Sequence, residues 1–445
     1  MTNGPMGRRP FGGEPPERAD SPMTQQKAEY TGRYVVLLDE QEPQSGIDAL
    51  QSSVGIASVE RVGGAEAEGA TELLQRPDTS VLFDDLATAV VEVRPDQRHT
   101  LVTTAEAEPT IIAAEPERMV YASVITEPQR TLTGFFPTYR SDEDEVNRHT
   151  RAELAASLGP AWDEQNTTWG LQAIRANWST LTGSAVKVAV LDTGVDTDHQ
   201  DLTGCLEATA SFVPGETVED GNGHGTHCIG TVAGPVKPEH APRYGVAGEA
   251  RMLAGKVLSD RGVGTDGQIL AGMAWAVSQG ARVISMSLGA PVEPGELFPQ
   301  TYENVALRAL ERGTVIVAAA GNESRRPRFV APVGRPANCP SILAVAALGK
   351  DLATAWFSCG AINGAGGEVN IAAPGVDIFS AAPDGTYQTL SGTSMATPHT
   401  AGAIALMVQA HPEATAADLR SRLLSGAYPL PQPAADIGSG LLQAP

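Results

Sequence analysis

Ala185-Val186-Lys187-Val188-Ala189-Val190-Leu191 is a near-continuous apolar run followed at once by Asp192-Thr193-Gly194. A strand with one face in water alternates polar and apolar residues, whereas a strand covered on both faces does not. The run therefore predicts a strand buried on both faces of a parallel sheet. Similar runs recur at Arg251 to Val257, Val283 to Met286, Val315 to Ala319 and Ile342 to Ala346, with helical segments at His227 to Ala233, Gly267 to Gln279 and Thr301 to Arg312. Strands alternating with helices predict an α/β fold, a mostly parallel doubly wound sheet with helices on both faces. Ligand sites in such sheets lie at the carboxyl ends of the strands, which is where Asp192 falls.

The chain has 445 residues, 42% of them hydrophobic, enough for a large core and more than one domain. Its net charge is −22, which disfavours nucleic acid and anionic membranes as partners. The excess is uneven: residues 1–165 hold 29 acidic and 14 basic side chains, the remainder 24 and 17. No apolar run reaches the roughly 18 residues of a membrane span. Four cysteines lack metal-type spacing; buried free thiols are expected, with a Cys339 to Cys359 bridge left open.

Residues 1–31 read as a disordered leader, and Met1 to Gln26 lacks the apolar segment of a secretory signal, so the cytoplasm is the default. Residues 32–122 read as a small α+β domain with strands at Tyr34 to Leu38, Ile56 to Val62, Val81 to Leu86, Ala89 to Val93 and Thr110 to Tyr121, and helices at Ile47 to Val54 and Pro95 to Val102. Residues 123–165, with the acidic run Asp142-Glu143-Asp144-Glu145, read as a linker, and 166–445 as the α/β domain.

Three further blocks bear on chemistry. Gly223-His224-Gly225-Thr226-His227-Cys228 places a histidine in a glycine-rich turn entering a small-residue helix. Ala319-Ala320-Gly321-Asn322 ends another strand, and Gly392-Thr393-Ser394-Met395-Ala396-Thr397-Pro398-His399 is a sharp turn into a helix whose N-terminal N–H groups can stabilise an anion. Pro398 is expected just inside the helix start, where its missing donor is harmless. Asp192, His224, Asn322 and Ser394 together supply an orienter, a base, an oxyanion donor and a nucleophile, the set acyl transfer needs. His227, His240 and His399 read as structural.

In order and spacing these blocks resemble the subtilisin-like serine proteases from about Trp169 to Leu424. The resemblance implies a serine endopeptidase: His224 takes the Ser394 proton, Asp192 holds the imidazole tautomer, and Asn322 with the Ser394 N–H binds the oxyanion. It also implies polypeptide substrates pairing with two strand edges, Gly262-Val263-Gly264 and Ser287-Leu288-Gly289, above a primary pocket of Ala319, Ala320, Gly321 and Gly334 with room for a large apolar side chain. By the same resemblance, residues 32–122 correspond to a ferredoxin-like pro-domain acting as inhibitor and chaperone. The chain is then a self-processing zymogen, cut after Phe136, Tyr139 or Leu158, and secretion is the family habit. No cofactor is needed for that chemistry. A structural calcium is left open and weakened by two departures: the loop Gly234 to Tyr244 lacks the asparagine-rich calcium-binding insertion that would use Asp201, and Asn370, near Pro336, stands where a carboxylate is usual. The competing readings are a dedicated intracellular processing protease of narrow specificity and an inactive binding module of the same fold. Arg325, Arg326 and Arg328 are a candidate dock for the acidic run.

Overall fold

The computed structural model describes residues 29–125, 162–364 and 366–445. The expected leader up to residue 28, the acidic run, and the three expected cut sites lie outside the described residues. The N-terminal unit has strands β1 (Tyr30–Leu38), β2 (Ser58–Val62), β3 (Thr79–Phe83), β4 (Thr88–Glu92) and β5 (Ile111–Ala122), and helices α1 (Pro43–Ala49), α2 (Ala67–Leu73) and α3 (Arg98–Ala107). Its sheet runs β5-β1-β4-β3-β2; β1 is antiparallel to β4 and β5, β4 to β3, and β2 lies parallel to β3 at the edge. With β2 and α2 set aside, the connectivity is β-α-β-β-α-β.

Helix α2 is absent from the sequence expectation, because the residues it buries are the small Ala67, Ala70 and Thr71, which make no apolar stripe. Side-chain alternation divides the sheet's two faces. Val36, Leu38, Leu82, Ala89 and Val91 pack with Ile47, Leu50 and Leu101 in one core. Val35, Val81, Phe83 and Val90, pointing the other way, join the large core that continues into the C-terminal unit. The two units thus share an apolar interface.

In the C-terminal unit, seven strands form one all-parallel sheet: β6 (Lys187–Asp192), β7 (Leu206–Ser211), β8 (Arg251–Lys256), β10 (Val283–Met286), β12 (Val315–Ala319), β13 (Leu343–Leu348) and β14 (Ile371–Pro374). The short strands β9 (Val263–Thr265) and β11 (Leu288–Gly289) leave it, and β15 (Ile378–Ala382) pairs with β16 (Thr386–Leu390) as a hairpin. The order is β14-β13-β12-β10-β6-β8-β7. From β6 the chain first moves to one side and then, at β10, to the other, so the order reverses at β6. A crevice opens at the carboxyl end of such a reversal. β10, β12 and β13 are buried along their whole length, as their unbroken apolar runs predict, whereas β7, missed in the sequence, is an edge strand with a half-exposed pattern.

The sheet packs against helices α4 (His224–Ala233), α5 (Asp266–Ser278), α6 (Gln300–Glu311) and α7 (Thr393–Ala410). Helix α7 is buried from Thr393 to Val408 and crosses beneath β10, β12, β13 and β14. Pro398 lies beyond its first turn, which corrects the sequence expectation. A proline there removes the N–H that would bond the Ser394 carbonyl. The Ser287 hydroxyl (2.8 Å) and the Cys228 thiol (3.7 Å) donate to that oxygen instead.

Two buried histidines set an acid limit on this core. His227 donates to the Ile378 carbonyl (2.9 Å) and His399 to that of Met395 (2.7 Å). Burial pulls their pKa values down to about 3 and about 4. Both stay neutral in the fold while the unfolded chain protonates them near 6.5, so their stabilisation is complete above pH 6.5 and is lost as pH falls. By pH 5 the loss is roughly 2 kcal/mol for each. Thermal melts from pH 8 to pH 5 should show the midpoint falling below pH 6.5, and a His399→Gln variant should show a shallower fall; a flat profile in the parent would exclude the effect.

Candidate active site

Asp192 ends β6, and its Oδ1 accepts from the Thr193 N–H (2.7 Å) and from His224 Nδ1 (2.7 Å). His224 is the first residue of α4, pressed against the aspartate turn because Gly225 carries no side chain: a Cβ there would sit 2.2 Å from the Gly194 carbonyl oxygen. Burial opposes charge on His224, but the adjacent Asp192 carboxylate prevails and holds its pKa well above the usual histidine range. Among the described residues, His224 Nε2 and Asp192 Oδ2 have no hydrogen-bond partner. Ser394 lies in the first turn of α7, fully buried, with Asn322 alongside; Asn322 Oδ1 accepts from the Thr393 N–H (2.9 Å) and hydroxyl (3.0 Å). The fold thus brings Asp192, His224, Asn322 and Ser394 to one end of the sheet.

Both expected substrate edges are already occupied by the chain itself. The end of β5 runs antiparallel between β9 and β11, with Val120 opposite Gly264 and Tyr121 opposite both Val263 and Gly289. Ala122 N–H donates to the Gly262 carbonyl (2.9 Å), Ser123 N–H to that of Ser287 (3.2 Å), and Ile125 N–H to that of Ser391 (3.0 Å). Ser123 was expected in a linker, yet its carbonyl oxygen accepts from the Ser394 hydroxyl, which also has the Ser287 carbonyl at 3.0 Å. Gly392 permits this approach, since a Cβ on it would lie 2.6 Å from the Ser123 oxygen.

Helix dipoles fasten the N-terminal unit. The fully buried Glu117 carboxylate accepts from Gly267 N–H (3.0 Å) at the start of α5 and from Arg33 Nε (2.7 Å), and Glu115 accepts from Gln300 N–H (2.7 Å) and Thr301 N–H (3.3 Å) at the start of α6. Negative charge is stabilised at such termini. No local pattern reveals these pairs, since the partners lie about 150 and 185 residues apart.

Asp220, which sequence reading missed, ties the aspartate turn to the histidine turn. One oxygen accepts from the Thr193 hydroxyl (2.8 Å), Gly223 N–H (2.8 Å) and Asn222 N–H (3.1 Å), the other from the Thr226 N–H (2.8 Å) and hydroxyl (2.7 Å). Although burial raises it, these donors hold its carboxyl below the usual range. Its position just before the glycine-rich histidine turn was the available signal. Asp220→Asn keeps the shape but replaces one acceptor oxygen by a donor. The expected cost is about 2–4 kcal/mol with a matching loss of activity, read by urea unfolding; a midpoint unchanged from the parent would reject the bracing role.

At the expected primary pocket, Gly334 N–H donates to the Ala320 carbonyl (2.9 Å), and Gly321 faces the Glu323 carboxylate, which accepts from the Cys359 thiol (3.1 Å). The Glu323 carboxylate beside Gly321 is an acidic group that the sequence reading did not place there. All four cysteines are free, so Cys339 and Cys359 form no bridge. Arg325 bonds the Asn322 carbonyl and stacks on Trp356, and Arg326 pairs with Asp436, which uses two of the three arginines within their own unit.

The expected calcium positions have other occupants. Asp201 Oδ2 accepts from the phenols of Tyr244 (2.7 Å) and Tyr387 (2.9 Å), and burial with the adjacent carboxylate raises the Tyr244 pKa so that it remains a donor. Asn370 Oδ1 accepts from Ala344 N–H (2.7 Å). Asp201 Oδ2 is thus committed to two phenols and Asn370 Oδ1 to a backbone N–H. Among the described residues, only Asp192, His224 and Cys228 bring three metal-type donor atoms together, within 4.8 Å. Two of those three, Asp192 and His224, are already hydrogen-bonded to each other. No described helix is long and apolar enough to cross a membrane.

The family profile described as the subtilase family (Peptidase S8) matches residues 183–440, more than half of the sequence, and the chain belongs to that family. Subtilisin E of Bacillus subtilis (strain 168) is 42% identical over 268 residues, covering 59% of this chain and 66% of the relative. Subtilisin of Bacillus pumilus is also 42% identical over 268 residues, covering 92% of the relative. Subtilisin Savinase of Lederbergia lenta is 41% identical over 284 residues, 63% of this chain and 98% of the relative. The chain therefore spans just under two thirds of the length of Subtilisin E and nearly all of the two shorter relatives.

Proposed function

We propose that the chain is a serine endopeptidase made as a precursor that cuts itself between Ser123 and Val124. The observation that carries the reading is the Ser123 carbonyl against the Ser394 hydroxyl, on a strand paired at both edges. A peptide held this way is in the attitude of a substrate, and here the chain supplies it.

The Ser394 oxygen attacks the Ser123 carbonyl carbon while its proton passes to His224 Nε2, the ring nitrogen left without a partner. Asp192, bonded at Nδ1, keeps the proton-accepting tautomer and offsets the imidazolium charge. Asn322 Nδ2 and the Ser394 N–H take the charge on the carbonyl oxygen. The bond to the Val124 nitrogen breaks, His224 returns the proton to that amine, and water releases Ser123 as a carboxylate. Until then β5 blocks both edges, which makes the N-terminal unit an inhibitor in cis. After release, the same edges take other polypeptides, and the pocket at Ala319, Ala320, Gly321 and Gly334 takes their side chain before the cut, with Glu323 adding a preference for basic over acidic ones.

The test is to incubate purified precursor and sequence the new N-terminus. Val124 is expected as the first residue of the large product. A large product that begins beyond Ile125, made with the same dependence on Ser394, would reject this bond.

A further inference from the structure

Ser123 contributes more than its carbonyl to the site. Its hydroxyl oxygen accepts from Asn322 Nδ2 (2.9 Å) and lies 3.3 Å from the Thr393 hydroxyl oxygen, while Thr393 Oγ1 is 3.0 Å from Asn322 Oδ1. The three side chains close a ring: the Asn322 amide donates to Ser123, Ser123 to Thr393, and Thr393 back to Asn322. Hydrogen bonds in such a ring polarise and strengthen one another. The bond recorded for the Asn322 amide nitrogen is thus to the hydroxyl oxygen of Ser123 and not to its carbonyl oxygen. Charge develops on the carbonyl oxygen, which in this arrangement receives the Ser394 hydroxyl instead. The Ser394 proton is correspondingly aimed away from His224 Nε2, which has no partner among the described residues.

We propose that the Ser123 side chain is a built-in brake on self-cleavage, holding the Asn322 amide away from the carbonyl oxygen it must stabilise. This rests on the self-cleavage reading above. For the reaction to begin, the ring must open and the amide must turn from Oγ to the carbonyl oxygen. A precursor lacking the hydroxyl skips that step. The same group would slow the cut of any added peptide with serine at this position relative to alanine.

The experiment compares precursors carrying Ser123→Ala, Ser123→Gly and Ser123→Thr with the parent, following loss of full-length chain and the Val124 N-terminus. One exchanged hydrogen bond corresponds to roughly a 3- to 10-fold change. Alanine and glycine should each accelerate processing by about that factor, and threonine, which keeps the hydroxyl, should process like the parent. The alanine effect should vanish in an Asn322→Ala background, where there is no amide to withhold, although that background is slow throughout. Equal or slower processing by the alanine variant, acceleration by threonine as well, or acceleration that persists without Asn322 would each overturn the brake. Hydrolysis of an added synthetic peptide by the processed enzyme is scored separately. If the parent neither hydrolyses it nor makes a Ser394-dependent product, the protease reading has failed; if it does both, only the brake is at stake.

Discussion

Precursor carrying Ser394→Ala is expected to stay at full length under conditions in which the parent is converted, and its hydrolysis of added peptide should fall about 10⁶-fold, a magnitude taken from subtilisin and not from this chain. Ser394 is buried, and among the described residues its hydroxyl is hydrogen-bonded to the Ser123 and Ser287 carbonyls, so the smaller alanine side chain fits the space. The fold should survive: the Ser394 carbonyl keeps its Ser287 and Cys228 donors, and Asn322 keeps Thr393. An unchanged melting temperature beside lost conversion would separate chemistry from folding. Appearance of the same product at the parental rate would remove Ser394 from the mechanism.

The second large effect is expected at Asp192. In Asp192→Asn an amide with its oxygen at the Oδ1 place keeps both the Thr193 N–H and His224 Nδ1 as donors but carries no negative charge, and the reverse turn points its NH₂ at both nitrogens. The first leaves the imidazolium without its compensating charge, and the second puts the imidazole proton on Nε2, where the ring cannot receive the one from Ser394. A loss of about 10⁴-fold is expected, the order found when asparagine replaces the aspartate of such a triad. With the carboxylate gone, the cause of the raised His224 pKa goes too, so the residual activity should extend to lower pH than in the parent. Turnover within tenfold of the parent, or an unshifted pH profile, would argue against the orienting role.

The sequence made the buried strands and the reactive blocks legible for one reason: each is a local pattern. An unbroken apolar run such as Val315 to Ala319 has no reading other than burial on both faces, and it became β12 without change of bounds. Asp192, His224, Asn322 and Ser394 were legible because glycines and small residues surround each of them. What stayed hidden depends on contacts across the chain. Ser123 sits among unremarkable residues, and nothing local places it against a serine 271 positions away. The web around Asp220 and the caps by Glu115 and Glu117 are hidden in the same way. Helix α2 and strand β7 were missed for a different reason: their buried residues are too few or too small to give a period. Pro398 was placed one turn too early because the helix start was judged from composition, and the donors that replace its N–H come from other segments.

Those donors bear on how the molecule comes to exist. The carbonyl of Ser394 is closed by Ser287 and Cys228, 107 and 166 residues earlier in the chain. Contacts of such separation carry a large loop-closure cost before any gain, and proteins built on them fold slowly. Residues 162–445 refolding by themselves should accordingly regain structure far more slowly than the whole chain, in which β5 can draw the edges at 263–265 and 288–289 together and Glu115 and Glu117 can seat two helices. The reactive turn would then be among the last parts of the molecule to form.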